Sequence, residues 1–258
     1  MRTNPVKAAL KAGQTVIGCE VARLRSADVP RIFALAGFDF VFIDTEHTAF
    51  TLETVADMIA SARRADIVPI VRVPQAEQVW IAKALDVGAQ GVIVPRVNTP
   101  QQVENLVSWM HFPPRGIRGY ASTHHQTDDQ PVDPASFIAA ADEHTMLVIQ
   151  IERRESLDNL DAMLSIPGVD VACLGCMDLS VDLGVPGRLD HPTMVAGIDK
   201  VIDACKRNNL AAGIIHPDMK VVTHWIGRGM RFVSYGTEAI LLRNAADEAV
   251  RQLRSLTT

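Results

Sequence analysis

Short apolar runs rich in β-branched residues recur along the chain, and longer stretches in which apolar residues return every three or four positions separate them. The runs cover residues 15–19, 40–43, 70–73, 91–94, 146–151, 170–174, 212–215 and 231–235. Each has the length of one strand, and helix-start chemistry follows it. Ser26 and Asp28 are candidate N-caps, with Pro30 in the first turn and Gly37 as a stop. Thr51 caps the next helical stretch, where Leu52, Val55, Ala56 and Ile59 form one stripe. Thr99-Pro100, His191-Pro192 and His216-Pro217 read as further openings, and Gly236-Thr237 begins a last helix through Leu253. Strict alternation of strand and helix predicts a parallel sheet, and about eight strands predict a single (β/α)8 TIM barrel spanning 1–258. The rival is an open doubly wound sheet, which carries a glycine-rich turn after its first strand. Here that position reads Cys19-Glu20-Val21-Ala22-Arg23, which favours the barrel. The long gap from Pro95 to Thr145 reads as an expanded βα loop with a short helix from Asp133-Pro134.

Composition changes little except by exclusion. The 258 residues are 48% hydrophobic and 21% charged, a globular balance. No apolar run reaches the ~18 residues that span a bilayer, and the opening Met1-Arg2-Thr3-Asn4-Pro5 lacks the apolar core of a secretory signal. With 25 basic and 30 acidic residues, net charge is −5, so neither nucleic acid nor a membrane is an expected partner. Four cysteines are too few for a disulfide scaffold, and the expected setting is a reducing cytoplasm.

In a barrel, reactive groups project from the C-terminal ends of the strands. Polar residues fall where the runs stop: Asp44-Thr45-Glu46-His47, Arg72, Pro95-Arg96, Gln150 and Glu152, Gly175-Cys176-Met177-Asp178, and His216. Period-2 alternation in the fifth run sends Leu147, Ile149 and Ile151 to the helix layer and Val148, Gln150 and Glu152 to the mouth. A carboxylate buried there needs a cation, which Arg72 or a metal could supply. Asp178, from the neighbouring strand, would crowd Glu152 unless a divalent ion sat between them. Two carboxylates without imidazole or thiolate suit Mg²⁺ or Mn²⁺, leaving positions for water and a chelating 2-oxo acid, whose enolate the ion stabilises. Asp44-x-x-His47 reads as a base oriented by a carboxylate, and Arg72 as the partner of a substrate oxygen. Lys7, Lys11, Lys83, Lys200, Lys206 and Lys220 all lie away from the strand ends, which disfavours an imine mechanism. Cys173-x-x-Cys176 is a weak redox or zinc signal without further ligands.

Taken in order, Ile43–His47, Val71-Arg72, Pro113–Gly119, Gln150-Ile151-Glu152 and Asp178-Leu179-Ser180 resemble the motifs of the metal-dependent HpcH/HpaI aldolases. The resemblance runs from Lys7-Ala8-Ala9-Leu10 to the last helix. It implies a class II pyruvate aldolase, a lyase acting on a 4-hydroxy-2-oxo acid to give pyruvate and an aldehyde. It assigns Glu152 and Asp178 as ligands of Mg²⁺ or Mn²⁺ (with Co²⁺ a further option) and Arg72 to the keto oxygen. His47 with Asp44 handles the aldehyde-side proton, Gln150 supports the site, and backbone amides near Met177 and Asp178 hold the carboxylate. It also implies a homo-oligomer, a hexamer built as a trimer of dimers, with an exchanged C-terminal helix and with Asp86 reaching a neighbour's site. Two positions depart from the family: Cys176 replaces a proline, and Thr48-Ala49-Phe50 replaces an A-P that often follows E-H. Residues 120–126, with His124 and His125, line an acceptor pocket or form a plain solvated loop. Competing functions are oxaloacetate decarboxylation or C–C ligation through the same enolate, and a non-catalytic keto-acid-binding barrel.

Overall fold

In the computed structural model, which describes residues 2–121 and 124–256, eight parallel strands close into a barrel in chain order. The strands are β1 (Val16–Val21), β2 (Phe40–Asp44), β3 (Val68–Arg72), β4 (Gly91–Val94), β5 (Met146–Ile151), β6 (Val171–Leu174), β7 (Ala211–His216) and β8 (Phe232–Thr237). Helix α1 (Pro5–Lys11) precedes β1, and α2 (Asp28–Leu35), α3 (Leu52–Arg64), α4 (Gln78–Asp86) and α5 (Pro100–Met110) follow the first four strands. A single turn, α6 (His124–Thr127), and α7 (Pro134–His144) lead into β5. Short helices α8 (Arg154–Asp158) and α9 (Leu160–Leu164) follow β5. After β6 come α10 (Cys176–Asp182) and α11 (Pro192–Arg207), then α12 (Met219–Arg228) and α13 (Glu238–Ser255) after the last two strands. Among the described residues no helix is long and apolar enough to cross a membrane.

The caps of α3, α5 and α13 act as the sequence reads, whereas α2 opens at Ala27 without a side-chain cap rather than at Ser26 or Asp28. Thr51 accepts the Thr54 N–H, Thr99 and Gln102 form a reciprocal capping box, and Thr237 caps α13. At α12 the cap is Asp218 rather than His216, because β7 extends through His216. In α3 the buried stripe is Val55, Met58, Ile59 and Ala62, while Leu52 is exposed.

Two apolar layers follow from strand alternation. Leu147, Ile149 and Ile151 pack under the helices, while Met146 and Val148 fill the barrel with Phe40, Phe42 and Phe232. Phe40 and Phe232 stack with ring centroids 4.3 Å apart. Glycine makes room for them: a Cβ on Gly18 would stand 2.3 Å from the Phe40 ring.

The long gap is not an expanded βα loop. The regular helix α5 returns to the N-terminal end of the barrel, and the extra chain, with α6 and α7, lies between it and β5. There Arg63, buried at the end of α3, donates to the carbonyls of Gly88 and Gln126, and Gln126 donates to Leu85 O. The insertion braces the end of the barrel remote from the C-terminal ends of the strands.

Candidate active site

The C-terminal strand ends gather five carboxylates and two guanidiniums. Glu20 ends the inward row Val16, Gly18, Glu20 of β1, and Asp44 closes β2, with Glu46 just beyond it. Arg72 closes β3, Arg96 follows β4, and Glu152 follows β5 directly. Asp178 stands in the first turn of α10.

Arg72 is the hub. Its Nε donates to Asp44 Oδ1 at 2.7 Å and lies 3.4 Å from Glu46 Oε2, while Nη2 donates to Glu20 Oε1 at 3.3 Å. The ring of Phe42 lies beneath the guanidinium. Burial alone would lower its pKa, but the Asp44 hydrogen bond and the charges of Asp44, Glu20 and Glu46 raise it, so the group stays cationic. Among the described residues Nη1 has no protein partner, which leaves one donor arm for a ligand.

Glu152 is held differently. Its Oε2 accepts from Gln150 Nε2 at 2.6 Å and its Oε1 from the Arg96 N–H at 2.7 Å, and the residue is 3% exposed. Arg96 reaches this position with φ of 54°, a left-handed conformation that costs an arginine about 1 kcal/mol or more. Burial raises the Glu152 pKa to about 7, and the charges of Glu46 and Asp178 add to that rise. No side-chain cation pairs with Glu152 among the described residues, so Arg72 is not the counter-ion that one reading of the sequence allowed.

A divalent cation fits this donor set. Both carboxylates are hard oxygen donors, and among the described residues the buried Gln150 Oε1 has no hydrogen-bond partner, while Glu46 Oε2 has only its longer ionic contacts with Arg72 and His47. Gly175 completes the cradle, since a Cβ there would stand 2.5 Å from Glu152 Oε2. Among the described residues no three His, Cys, Asp or Glu side chains converge as a metal cage. Water and substrate would complete the coordination of an ion held there, as for an ion bound by one or two carboxylates.

Asp44 does not orient the His47 ring. Its oxygens accept the backbone N–H groups of Glu46 and His47 and the Arg72 Nε, which occupies the carboxylate. The His47 ring is 62% exposed, and its Nε2 lies 3.6 Å from Glu46 Oε2. Glu46 therefore joins His47, Arg72 and Arg96, the last at 3.1 Å. Met177 is exposed, and its N–H and that of Asp178 belong to the first turn of α10, where a helix leaves amides unpaired. Asp86 is not at this site in its own chain: it ends α4 at the far end of the barrel, where it accepts from Arg118 and Gln126. Tyr120 packs there against Phe112 and Phe137, and Gln126 donates to Leu85 O, so these two residues of the stretch do not line the mouth of their own barrel. Residues 122 and 123 of that stretch lie outside the described ones.

Sequence reading assigned no role to Glu20, Glu46 or Glu238. Glu238, buried at the start of α13, accepts the backbone N–H groups of Ala22, Arg23 and Leu24 and so fixes the loop after β1. The inward alternation of β1 was the available signal for Glu20. Cys173 and Cys176 are buried with their thiols pushed up, Cys176 to about 12, which excludes a reactive thiolate. A cavity of about 850 Å³ lies on the outer face between α2, α3 and the segment around α6, and touches none of these groups.

A family model described as HpcH/HpaI aldolase/citrate lyase matches residues 22–245. The chain is 34% identical over 247 residues to a hydroxypyruvate/pyruvate aldolase of Roseobacter denitrificans, covering 93% of each. It superposes on the HpcH/HpaI aldolase from Desulfitobacterium hafniense with a TM-score of 0.90, at 28% identity over 96% of both chains. Macrophomate synthase superposes with a TM-score of 0.82 at 27% identity, over 97% of this chain and 88% of that one.

Proposed function

The chain belongs to the HpcH/HpaI aldolase/citrate lyase family, and on that premise we propose that it is a divalent-metal-dependent aldolase. It reversibly cleaves a 4-hydroxy-2-oxo acid into pyruvate and an aldehyde. The observation that carries this reading is Glu152: buried, without an ion-paired side-chain cation among the described residues, cradled by Gly175 and close enough to Asp178 to feel its charge.

Glu152 and Asp178 would hold Mg²⁺ or Mn²⁺, or alternatively Co²⁺, with Gln150 Nε2 fixing one oxygen of Glu152. When bound, such an ion withdraws electrons from the keto group of a 2-oxo acid. Met177 and Asp178 N–H groups receive the acid's carboxylate at the start of α10. Arg72 donates Nη1 to the keto oxygen, where negative charge grows as the C3–C4 bond breaks. Asp44 and Glu20 fix the other arms of the guanidinium, so little reorganisation accompanies that charge. In cleavage His47 takes the proton of the 4-hydroxyl, the C3–C4 electron pair passes to the enolate of pyruvate, and C3 collects a proton from water. Glu46, rather than Asp44, is the carboxylate beside the ring that gains charge.

Oligomerisation belongs to the same proposal. In α13 only Glu238 is buried, whereas Leu242, Val250 and Leu253, and Leu256 just beyond the helix, are exposed. That apolar face supports a helix seated on a partner subunit in a hexamer built as a trimer of dimers, in which Asp86 serves a neighbour's mouth. The cysteines, free and buried, fit a reducing cytoplasm.

The test is a panel of aldehydes incubated with pyruvate and each metal ion. Metal-dependent 4-hydroxy-2-oxo acid formation supports the aldolase. A second reading, oxaloacetate decarboxylation or C–C ligation through the same enolate, is favoured by the likeness to macrophomate synthase. Turnover of oxaloacetate without any aldehyde product would favour it over the first.

A further inference from the structure

Glu20 has no place in the chemistry above beyond its contact with Arg72. In the closed order of strands β1 stands opposite β5, so Glu20 faces the Glu152 side from across the mouth. Gly18 lies below it in the inward row. Its side chain is 14% exposed, and its surroundings are acidic: Asp44 and Glu46 from β2 and its loop, and Glu238 from α13, against the single cation Arg72. Among the side chains gathered at the strand ends, Glu20, Asp44, Glu46, Glu152 and Asp178 face Arg72 and Arg96, an acidic excess that a bound divalent ion would reduce, while Arg25 of the loop after β1 reaches only the rim, where it donates to Ala49 O. A carboxylate in that position accepts hydrogen bonds from hydroxyl groups and repels a second carboxylate.

We propose that Glu20 is a specificity-determining residue of the aldehyde subsite, selecting uncharged, hydroxyl-bearing aldehydes against aldehydes that carry a carboxylate. This rests on the aldolase reading, in which the aldehyde adds to the methyl carbon of pyruvate. Burial, opposed by Arg72 and reinforced by the neighbouring acids, lifts the Glu20 pKa to about 7, so the side chain is ionised in an assay at pH 8.

The experiment compares kcat/KM for glycolaldehyde and glyceraldehyde with that for succinic semialdehyde and glyoxylate, with pyruvate and Mn²⁺ at pH 8. Wild type is run beside Glu20→Gln, which removes the charge, and Glu20→Asp, which keeps it. Glu20→Met, also neutral, replaces the glutamine variant if thermal melting shows that one unfolded. The neutral variant should shift the anionic-to-neutral ratio on the order of tenfold toward the anionic aldehydes, the factor for like charges about 8 Å apart at a screened surface. The aspartate variant should keep the wild-type ratio. A folded neutral variant whose ratio stays within about twofold of wild type overturns the role of Glu20 and leaves the aldolase reading standing. Wild-type protein that turns over no aldehyde with any metal overturns that reading, and this inference with it.

Discussion

Replacing Gly175 by alanine tests the cradle without touching a charged group. The backbone there, with φ of −86°, suits any residue, so the effect is steric. The added Cβ would stand 2.5 Å from Glu152 Oε2 and 2.7 Å from Gln150 Nε2, inside any tolerated contact. Both side chains are buried, and they share a 2.6 Å hydrogen bond, so neither can move alone. Overpacking costs about 1–3 kcal/mol, and a strained or lost buried hydrogen bond about 1 kcal/mol more. Loss of glycine's freedom in the unfolded chain returns about 0.4–1 kcal/mol. The net loss is about 1–3.5 kcal/mol, which for a chain of this size lowers Tm by roughly 2–14 °C. Displacing Glu152 also misplaces a metal ligand, so Mn²⁺ affinity measured by calorimetry should fall at least tenfold. An alanine variant that melts with wild type and binds Mn²⁺ equally well would refute the close approach and the role of Glu152 together.

Three further outcomes follow from the same contacts. Glu20→Gln should stabilise the protein at pH 8 by up to about 3 kcal/mol and hardly at all at pH 4.5, read from urea titrations at both pH values. The sign follows because the folded state lifts the Glu20 pKa from 4.5 to about 7 and so holds that proton more tightly than the unfolded chain. This contribution is present at low pH and lost as pH rises between those two values. Asp44→Asn should cost about 2–3 kcal/mol in urea unfolding, less than an isolated buried pair because Glu20 and Glu46 still face Arg72. It should also lower kcat at least a hundredfold. Mn²⁺ at about a hundred times its Kd should add about 2.7 kcal/mol to stability, a rise in Tm of roughly 5–11 °C that Glu152→Gln and Asp178→Asn should each abolish.

Strand position was legible because each inward and outward set is apolar enough to stand out. In β5 the alternation placed Gln150 and Glu152 at the mouth, and the structure puts them there with Leu147, Ile149 and Ile151 turned outward. At β1 the same rule fell short. Hydrophobicity stopped the run at Cys19, one residue before Glu20, although the strand continues to Val21. The side of the barrel on which the 95–145 segment lies was not legible, since a sequence shows the length of an insertion and not which end of α5 carries it. Nor could spacing choose between Asp44 and Glu46 as the neighbour of His47. Asp44 is committed to two backbone N–H groups and to Arg72, a competition visible only once the loop after β2 has turned. Asp86, which the resemblance assigns to a neighbour's site, stands at the far end of its own barrel because α4 runs back from the mouth.

The most direct test of the central claim needs no aldehyde. In D₂O, an enzyme that forms the enolate of pyruvate exchanges the methyl protons, and the loss of the methyl signal can be followed by proton NMR. Exchange that requires Mn²⁺ or Mg²⁺, stops on chelation, and fails in Arg72→Ala and Glu152→Gln is the result the geometry predicts. No exchange above the protein-free rate with any divalent ion, or exchange indifferent to chelation and to both substitutions, would contradict it.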